Sequence, residues 1–217
     1  LGLEYEFEAA NDINHYEIIL NNQHKLIIKD NFFNQHNDSL SYLKMSNIPT
    51  KVELTQNSFI LEKDLPIIFG TQEMVIKENN IICGIDIFAS SFFMLTRWEE
   101  YVNPKRDRYL RFAAKDSLAY KCNFLHRPLV NEYVEMLWNM LKFLKIKQPR
   151  KKTFFKLIPT HDVDALRPYR TLRSFLGDLL KRRSFSLFRQ RLNSILNKKI
   201  NPYNTFSWLM DLSEKYN

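Results

Sequence analysis

The hydrophobic pattern of this chain changes its period near residue 86, and this change limits the folds open to it. Before that point, apolar residues come in short runs rich in Ile, Phe and Tyr, which are typical of strands. After it, apolar residues recur every three or four positions, as on one face of a helix. The sequence therefore predicts an N-terminal α+β domain in which strands come first and helices follow.

Six short segments carry the strand pattern. They are EYEFE (4–8), YEIIL (16–20), KLIIK (25–29), KVELT (51–55), PIIFG (66–70) and NIICGI (80–85). Asn21 and Asn22 lie between the second and third segments, which favours a hairpin turn there.

Two helices are predicted after the strands. The first covers DIFASSFFMLTRWEEY, with Asp86 as its N-cap. The second begins near RPLVNEYVEML, where Pro128 suits a first turn. A polar, Arg-rich loop, 102–115, separates them.

For Arg97 to Glu100 two interpretations stay open: a polar surface on which Trp98 stacks a sugar, or a buried Trp98 with locally paired charges. For His126 and Arg127 two interpretations also stay open: a contact with an anion or a sugar at the helix start, or local capping with exposure to solvent.

A domain boundary is expected at IKQPRKK (146–152), which is polar and basic and contains Pro149. It divides the chain into domains 1–148 and 149–217. The second part has one predicted strand, 153–159, and helical segments at about 169–181, 184–198 and 201–216, which fits the opening of an α/β unit. One strand cannot form a sheet. The sequence also begins at Leu1 without Met, so we expect it to be a piece of a longer protein.

Charge is concentrated in the second part. Residues 150–200 hold 14 Lys and Arg against three Asp and Glu, a balance of +11, whereas the whole chain is +8. A basic amphipathic helix over 181–199 could face a membrane or partner, or simply pack on a sheet. Its apolar side is formed by Phe185, Phe188, Leu192, Ile195 and Leu196. No nucleic-acid motif is present, so no nucleic-acid partner is expected.

Cysteine use gives little guidance. Cys83 and Cys122 are too few for a disulfide framework, and we expect buried free thiols. No export signal is visible and no apolar stretch approaches the ~18 residues of a membrane helix. A cytoplasmic location is the default expectation.

A cluster of candidate catalytic or metal-binding side chains follows directly after the predicted strand 153–159: Thr160, His161, Asp162 and Asp164. If the extended backbone continues, Asp162 and Asp164 point to the same side, because strand side chains alternate. One carboxylate could then ligate a divalent metal while the other accepts a proton from metal-bound water. The alternative is structural: an aspartate after a strand often caps a helix or forms a turn.

PTHDVD after an apolar strand resembles the first motif of the polysaccharide deacetylases, carbohydrate esterase family 4 with the NodB-homology fold. The segments GIDIFASSFFMLTRWEEY (84–101) and KDSLAYKCNFLHRPLVNEYVEML (115–137) resemble the region preceding such a domain in some bacterial proteins. The resemblance implies a distorted (β/α) barrel and metal-dependent hydrolysis of acetyl groups on a glycan, often with zinc. It implies that Asp162 is the catalytic base and Asp164 a metal ligand, with Thr160 and His161 accessory.

One departure limits this assignment. The family completes its metal site with a His-x-x-x-His pair on a later segment, and no histidine follows His161 here. We therefore expect the 217 residues alone to be inactive and the parent protein to be the deacetylase, the barrel being incomplete in this chain. The alternative is a non-catalytic module that binds a glycan or a partner. The sequence does not identify the glycan or the oligomeric state.

Overall fold

The computed structural model describes most of the chain and groups it into two compact units. The units are Leu1–Lys151 and Lys152–Asn217. The described residues are 1–10, 13–36, 40–152, 154–158, 160, 162, 173, 176–196 and 205–216. The domain boundary predicted after residue 148 stays a prediction, because compactness does not show that either unit folds alone.

The first unit contains two sheets. The larger has four strands in the order β1-β2-β6-β5, and the smaller pairs β3 with β4. The strands are β1 (His15–Ile19), β2 (Lys25–Lys29), β3 (Glu53–Thr55), β4 (Leu65–Ile67), β5 (Gly70–Ile76) and β6 (Asn80–Ile85). β1 and β2 form the hairpin predicted around Asn21 and Asn22, and β2 runs parallel to β6.

β2 and β6 occupy the centre of the larger sheet because both place buried apolar residues at alternate positions. Leu26 lies beside Ile81, and Ile28 lies beside Cys83, across the parallel pair. All four are fully buried. A row of this kind fixes the register, since a shift of one residue would turn it to the opposite face. Cys83 is therefore a buried free thiol as predicted, whereas the free thiol of Cys122 is only half-buried.

The edge strand β5 was not predicted from the sequence. Its residues 71–73, Thr-Gln-Glu, are exposed and polar, so no apolar alternation marks them. Gly70 begins this strand at φ +106°, and a Cβ there would lie 2.3 Å from the carbonyl oxygen of Gly84. Only glycine fits a positive φ at so close an approach.

The described residues of the first unit also form four helices. They are α1 (Ile87–Thr96), α2 (Trp98–Val102), α3 (Leu118–Lys121) and α4 (Leu129–Phe143), with 3-10 turns at Phe33–Gln35, Met45–Asn47 and Ala114–Asp116. The single helix predicted over 86–101 is broken at Arg97, whose left-handed backbone (φ 55°) ends α1 and begins α2. The predicted N-cap is confirmed, because Asp86 accepts a hydrogen bond from the Ala89 N–H.

The core of this unit joins the central strands to the helices. The Tyr133 hydroxyl of α4 donates to the Pro66 carbonyl at 2.6 Å, which links that helix to β4. An aromatic cluster fills another part of the core: the ring of Phe32 stacks on Phe69 at 4.2 Å, and Trp98 meets Phe93 edge-on at 5.1 Å.

Two strand predictions were wrong. Residues 4–8 are exposed and belong to no strand; Glu4 bonds through its backbone to the Gln148 side chain. Residues 154–158, the described part of the predicted strand 153–159, are also exposed and outside any strand. Apolar character made both segments resemble strands, but a strand needs hydrogen-bonded neighbours, and neither has a paired strand among the described residues.

Helices are the regular structure of the described residues from 176 onwards in the second unit. The unit contains a π-helical turn, Gly177–Lys181, followed by α5 (Phe185–Leu196) and α6 (Phe206–Tyr216). The described residues thus form a mixed α and β structure, which confirms the prediction at that level. The described residues after 151 contain no strand, so the predicted barrel is not seen in them.

Candidate functional site

The predicted catalytic cluster is only partly within the described residues. Thr160 and Asp162 are exposed and belong to no helix or strand. His161 and Asp164 lie outside the described residues. The proposed division of roles between Asp162 and Asp164, which requires both carboxylates on one side, therefore stays a prediction.

A metal site is not assembled in the described part of the chain. No group of three or more His, Cys, Asp or Glu side chains is placed there to hold an ion. Catalytic zinc usually has three protein ligands. The described residues thus supply no complete set of zinc ligands; the predicted ligand Asp164 lies outside them, and the divalent metal stays a prediction.

Arg127, one of two candidates at the start of α4, is held inside the fold. Its guanidinium donates to the Asp64 carboxylate at 2.5 Å and to the Glu132 carboxylate at 2.7 Å. Hydrogen bonding to Glu132, and then to Asp64, raises the pKa of Arg127. Because the chain itself supplies both acceptors, the Arg127 side chain links α4 to the segment before β4.

His126, the other candidate, lies at the surface. With Tyr120, Asn123 and Leu125 it lines a shallow depression of about 590 Å³. Three of these side chains can hydrogen-bond. The depression is open and lacks a charged group among these four residues, so the geometry alone does not define a ligand.

Arg97 to Glu100 divide between core and surface. Trp98 is 3% exposed within the aromatic cluster, which confirms the core interpretation. Glu99 is buried and accepts a hydrogen bond from the Leu118 N–H at 2.7 Å, and burial raises its pKa. Arg97 pairs with Glu100 at the surface. Trp98 is thus not available to stack a sugar.

Among the described residues of the first unit, Asp86 is the most deeply buried acid. Its carboxylate accepts hydrogen bonds from the backbone N–H groups of Asn31 and Ala89, each at 2.9 Å. Burial raises the pKa of Asp86 despite these donors. Burial, with the nearby charge of Asp30, also raises the pKa of Tyr16. These contacts order the backbone and leave no open face for a ligand.

A surface feature that the sequence did not single out lies between α2 and α3. We call residues 105–111, KRDRYLR, the Arg–Tyr loop; its formal charge is +3. Asp107 closes it: the backbone N–H of Asp107 donates to the Arg111 carbonyl at 2.8 Å. The Asp107 carboxylate accepts from the N–H groups of Tyr109 at 2.8 Å and Arg111 at 3.0 Å. The hydrogen bond from Arg111 lowers the pKa of Asp107.

The side chains of the Arg–Tyr loop form a compact cationic group around one aromatic ring. The guanidinium carbons of Arg108 and Arg111 lie 4.6 and 4.8 Å from the centre of the Tyr109 ring. Both distances are within the range of cation–π attraction. The Leu110 side chain next to them is 83% exposed. The loop thus presents cations, an aromatic ring and an apolar side chain together.

Two signals in the sequence could have identified this loop. An aspartate followed at two residues by an N–H donor is typical of an Asx turn. Arginine and tyrosine are also enriched in binding interfaces. The loop was interpreted only as an Arg-rich connection because neither signal specifies a ligand.

The basic helical region of the second unit is only partly engaged in its own contacts. Asp178 is bonded to Arg182 and Arg191, each at 2.6 Å, and these arginines, Arg191 first, lower the pKa of the acid. On the apolar side predicted for 181–199, Phe185 and Leu196 remain well exposed. Of the helices in the described residues, none has the length and apolar character needed to span a bilayer.

Comparison with known proteins identifies the first unit by family and no further. No curated protein and no solved structure matches the chain. A family model described as "Family of unknown function (DUF7033)" matches residues 1–146. This match takes in both sheets, α1 to α4 and the Arg–Tyr loop, and it covers more than half of the 217 residues. The chain therefore belongs to DUF7033, a family of unknown function.

Proposed function

We propose that this chain is the N-terminal part of a metal-dependent deacetylase of N-acetylated glycans. The second unit supplies the first catalytic motif, and the remainder of a distorted (β/α) barrel completes it in a longer protein. The observation that supports this is the PTHDVD segment, together with the solvent exposure of Asp162. An exposed carboxylate beside a bound metal can take a proton from the attacking water.

The proposal assigns no activity to the 217 residues alone. Asp162 is the base and Asp164 a metal ligand, with Thr160 and His161 beside them. A divalent metal, in particular zinc, needs further ligands, and no histidine follows His161. The longer protein must supply those ligands. A cytoplasmic location and the freedom to form oligomers remain expectations from the sequence.

The test is acetate release from N-acetylglucosamine oligomers by the longer protein that contains these residues. We expect zinc-dependent release that is lost in Asp162→Asn, because the amide cannot act as a base. Asp211→Asn, which neutralises an exposed acid elsewhere in the same unit, is the matched control. Full activity of the Asp162→Asn protein would contradict the assignment.

A second candidate function is favoured by the Arg–Tyr loop: the first unit is a non-catalytic binding module. Arg108 forms no ion pair with a described residue, and its guanidinium is available to an anionic ligand. Binding of this kind weakens with salt, since exposed charges are screened within about 10 Å at 0.1 M. The candidate predicts salt-dependent retention on a polyanionic resin that is unchanged when Asp162 and Asp164 are replaced by asparagine.

A further inference from the structure

The Arg–Tyr loop holds Leu110 at the outside of a hydrogen-bonded turn, because the Leu110 N–H donates to the Asp107 carbonyl at 3.0 Å. Leu110 adopts a left-handed backbone, φ 60°, a conformation that asparagine and glycine tolerate far better. Its side chain is 83% exposed and contributes little to the core of the unit.

The groups around Leu110 have the composition of a surface that meets lipid headgroups. Tyr109 is 59% exposed and has an apolar ring with a polar end. The guanidinium groups of Arg108 and Arg111 lie beside this ring and supply positive charge. Tyrosine is enriched at membrane interfaces, where arginine and lysine reach the headgroups through long apolar stems.

We propose that the Arg–Tyr loop docks this chain on an anionic lipid surface. Leu110 enters the boundary between headgroups and acyl chains, Tyr109 lies at the headgroup level, and Arg108 pairs with a lipid phosphate. The proposal rests on the second candidate function, that of a binding module, and is independent of the deacetylase assignment.

The exposed leucine favours lipid over a polyanion dissolved in water. An acidic polysaccharide or a nucleic acid would pair with the cations but would leave Leu110 in water. Both guanidinium groups already lie against the Tyr109 ring. A base or sugar would therefore have to displace a cation in order to stack there. A lipid surface uses the cations and the apolar side chain together.

The asparagine and glutamine variants of this loop separate the two contributions. Leu110→Asn removes the apolar side chain but suits the left-handed backbone, so the folded chain is expected to be at least as stable as the wild type. Arg108→Gln removes one charge. Leu61→Asn and Lys63→Gln are matched controls, because both residues are exposed in another loop of the same unit.

The measurement is co-sedimentation of the full 217-residue chain with phosphatidylcholine vesicles, with and without phosphatidylglycerol. We expect binding only to the anionic vesicles. Arg108→Gln should weaken it about fivefold. Leu110→Asn should weaken it about tenfold, the lower end of what full burial of a leucine contributes. The two control variants should bind as the wild type does.

Two outcomes would overturn the proposal, and they differ in meaning. If Arg108→Gln weakens binding but Leu110→Asn does not, the ligand is a polar anion, and the binding module survives while the lipid surface does not. Heparin and a single-stranded oligonucleotide, used as competitors, then identify the class. If neither variant differs from its control, the Arg–Tyr loop is not the binding surface and the binding-module function fails with it.

Discussion

At the scale of residues, the first unit is organised by single buried acids whose role is structural and not catalytic. Asp86 is 0% exposed and receives N–H donors from two separate parts of the chain, Asn31 after β2 and Ala89 in α1. It therefore fixes the start of a helix and the end of a strand at one point. Arg127 does the same for α4 and the segment that contains Asp64, but through ion pairs.

Replacing Asp86 by alanine should destabilise the protein by about 3 kcal/mol, because a helix cap is lost and a second buried donor, the Asn31 N–H, is left unpaired. Asp86→Asn keeps one acceptor oxygen and should cost about half as much. Urea unfolding followed by circular dichroism measures both. Equal midpoints for wild type and Asp86→Ala would contradict the role given to this carboxylate.

The Glu135–Arg150 pair gives a residue-scale prediction about pH. Hydrogen bonding to Arg150 lowers the pKa of Glu135 below its ordinary value of 4.5. The pair therefore contributes stability above pH 4.5, and this contribution is lost as the pH falls towards the lowered pKa in the folded state. Glu135→Gln should cost about 0.5 kcal/mol at pH 7 and progressively less as the pH falls below 4.5 through the lowered pKa. Urea unfolding of both proteins over this pH range is the measurement, and a difference that does not shrink as the pH falls would exclude the ion pair as its source.

At the scale of elements, sequence patterns located best the segments in which the apolar positions match the positions that the fold buries. β2, β6 and α4 were predicted because their apolar residues repeat with a regular period and are buried accordingly. β5 was missed because an exposed edge strand does not need apolar alternation. The segment 4–8 has the alternation but no paired strand, and tertiary pairing decides strands more than local composition does.

The sequence predicted the residue types of the candidate site but not their arrangement. Asp162 is exposed, and its predicted role as a base stays a prediction. The Asx-turn signal and the Arg and Tyr residues of the Arg–Tyr loop do not specify its form, because that form depends on hydrogen bonds around Asp107. The break at Arg97 was missed for a similar reason: arginine is a good helix former, and nothing in the local sequence requires a left-handed residue there.

The boundary between α1 and α2 allows a test of that strain. Arg97→Gly should stabilise the protein by about 1 kcal/mol, because glycine adopts the left-handed backbone without a clash of its Cβ. Arg97→Ala keeps the strain and loses only an exposed pair with Glu100, so it should change stability by less than about 0.5 kcal/mol. Thermal unfolding of the two variants provides the comparison. A destabilised glycine variant would mean that the Arg97 side chain has a further role.

At the scale of the whole molecule, the core and the family match coincide in the first unit. All of the buried apolar residues in the described part of the chain lie between Leu20 and Leu144. The positive charge, by contrast, is concentrated after residue 150. The first unit thus contains what is needed for an independent core.

A chain ending at Lys151 should therefore fold on its own. We expect it to unfold in one cooperative transition at the urea concentration at which the first unit unfolds in the 217-residue chain. Fluorescence of Trp98 and Trp138, the two tryptophans before residue 151, reports this transition. Loss of cooperativity in the shorter chain would show that residues 152–217 stabilise the first unit.

The two ends of the first unit lie side by side. The Lys151 N–H donates to the Leu1 carbonyl at 3.0 Å, and Glu4 and Gln148 exchange two further hydrogen bonds. Such proximity makes the unit suitable for circular permutation: a few glycines could join residue 151 to residue 1, with new termini opened beside the exposed Leu61. The strand order of its sheets would be unchanged, because all six paired strands belong to the first unit and would still be present in the permuted chain.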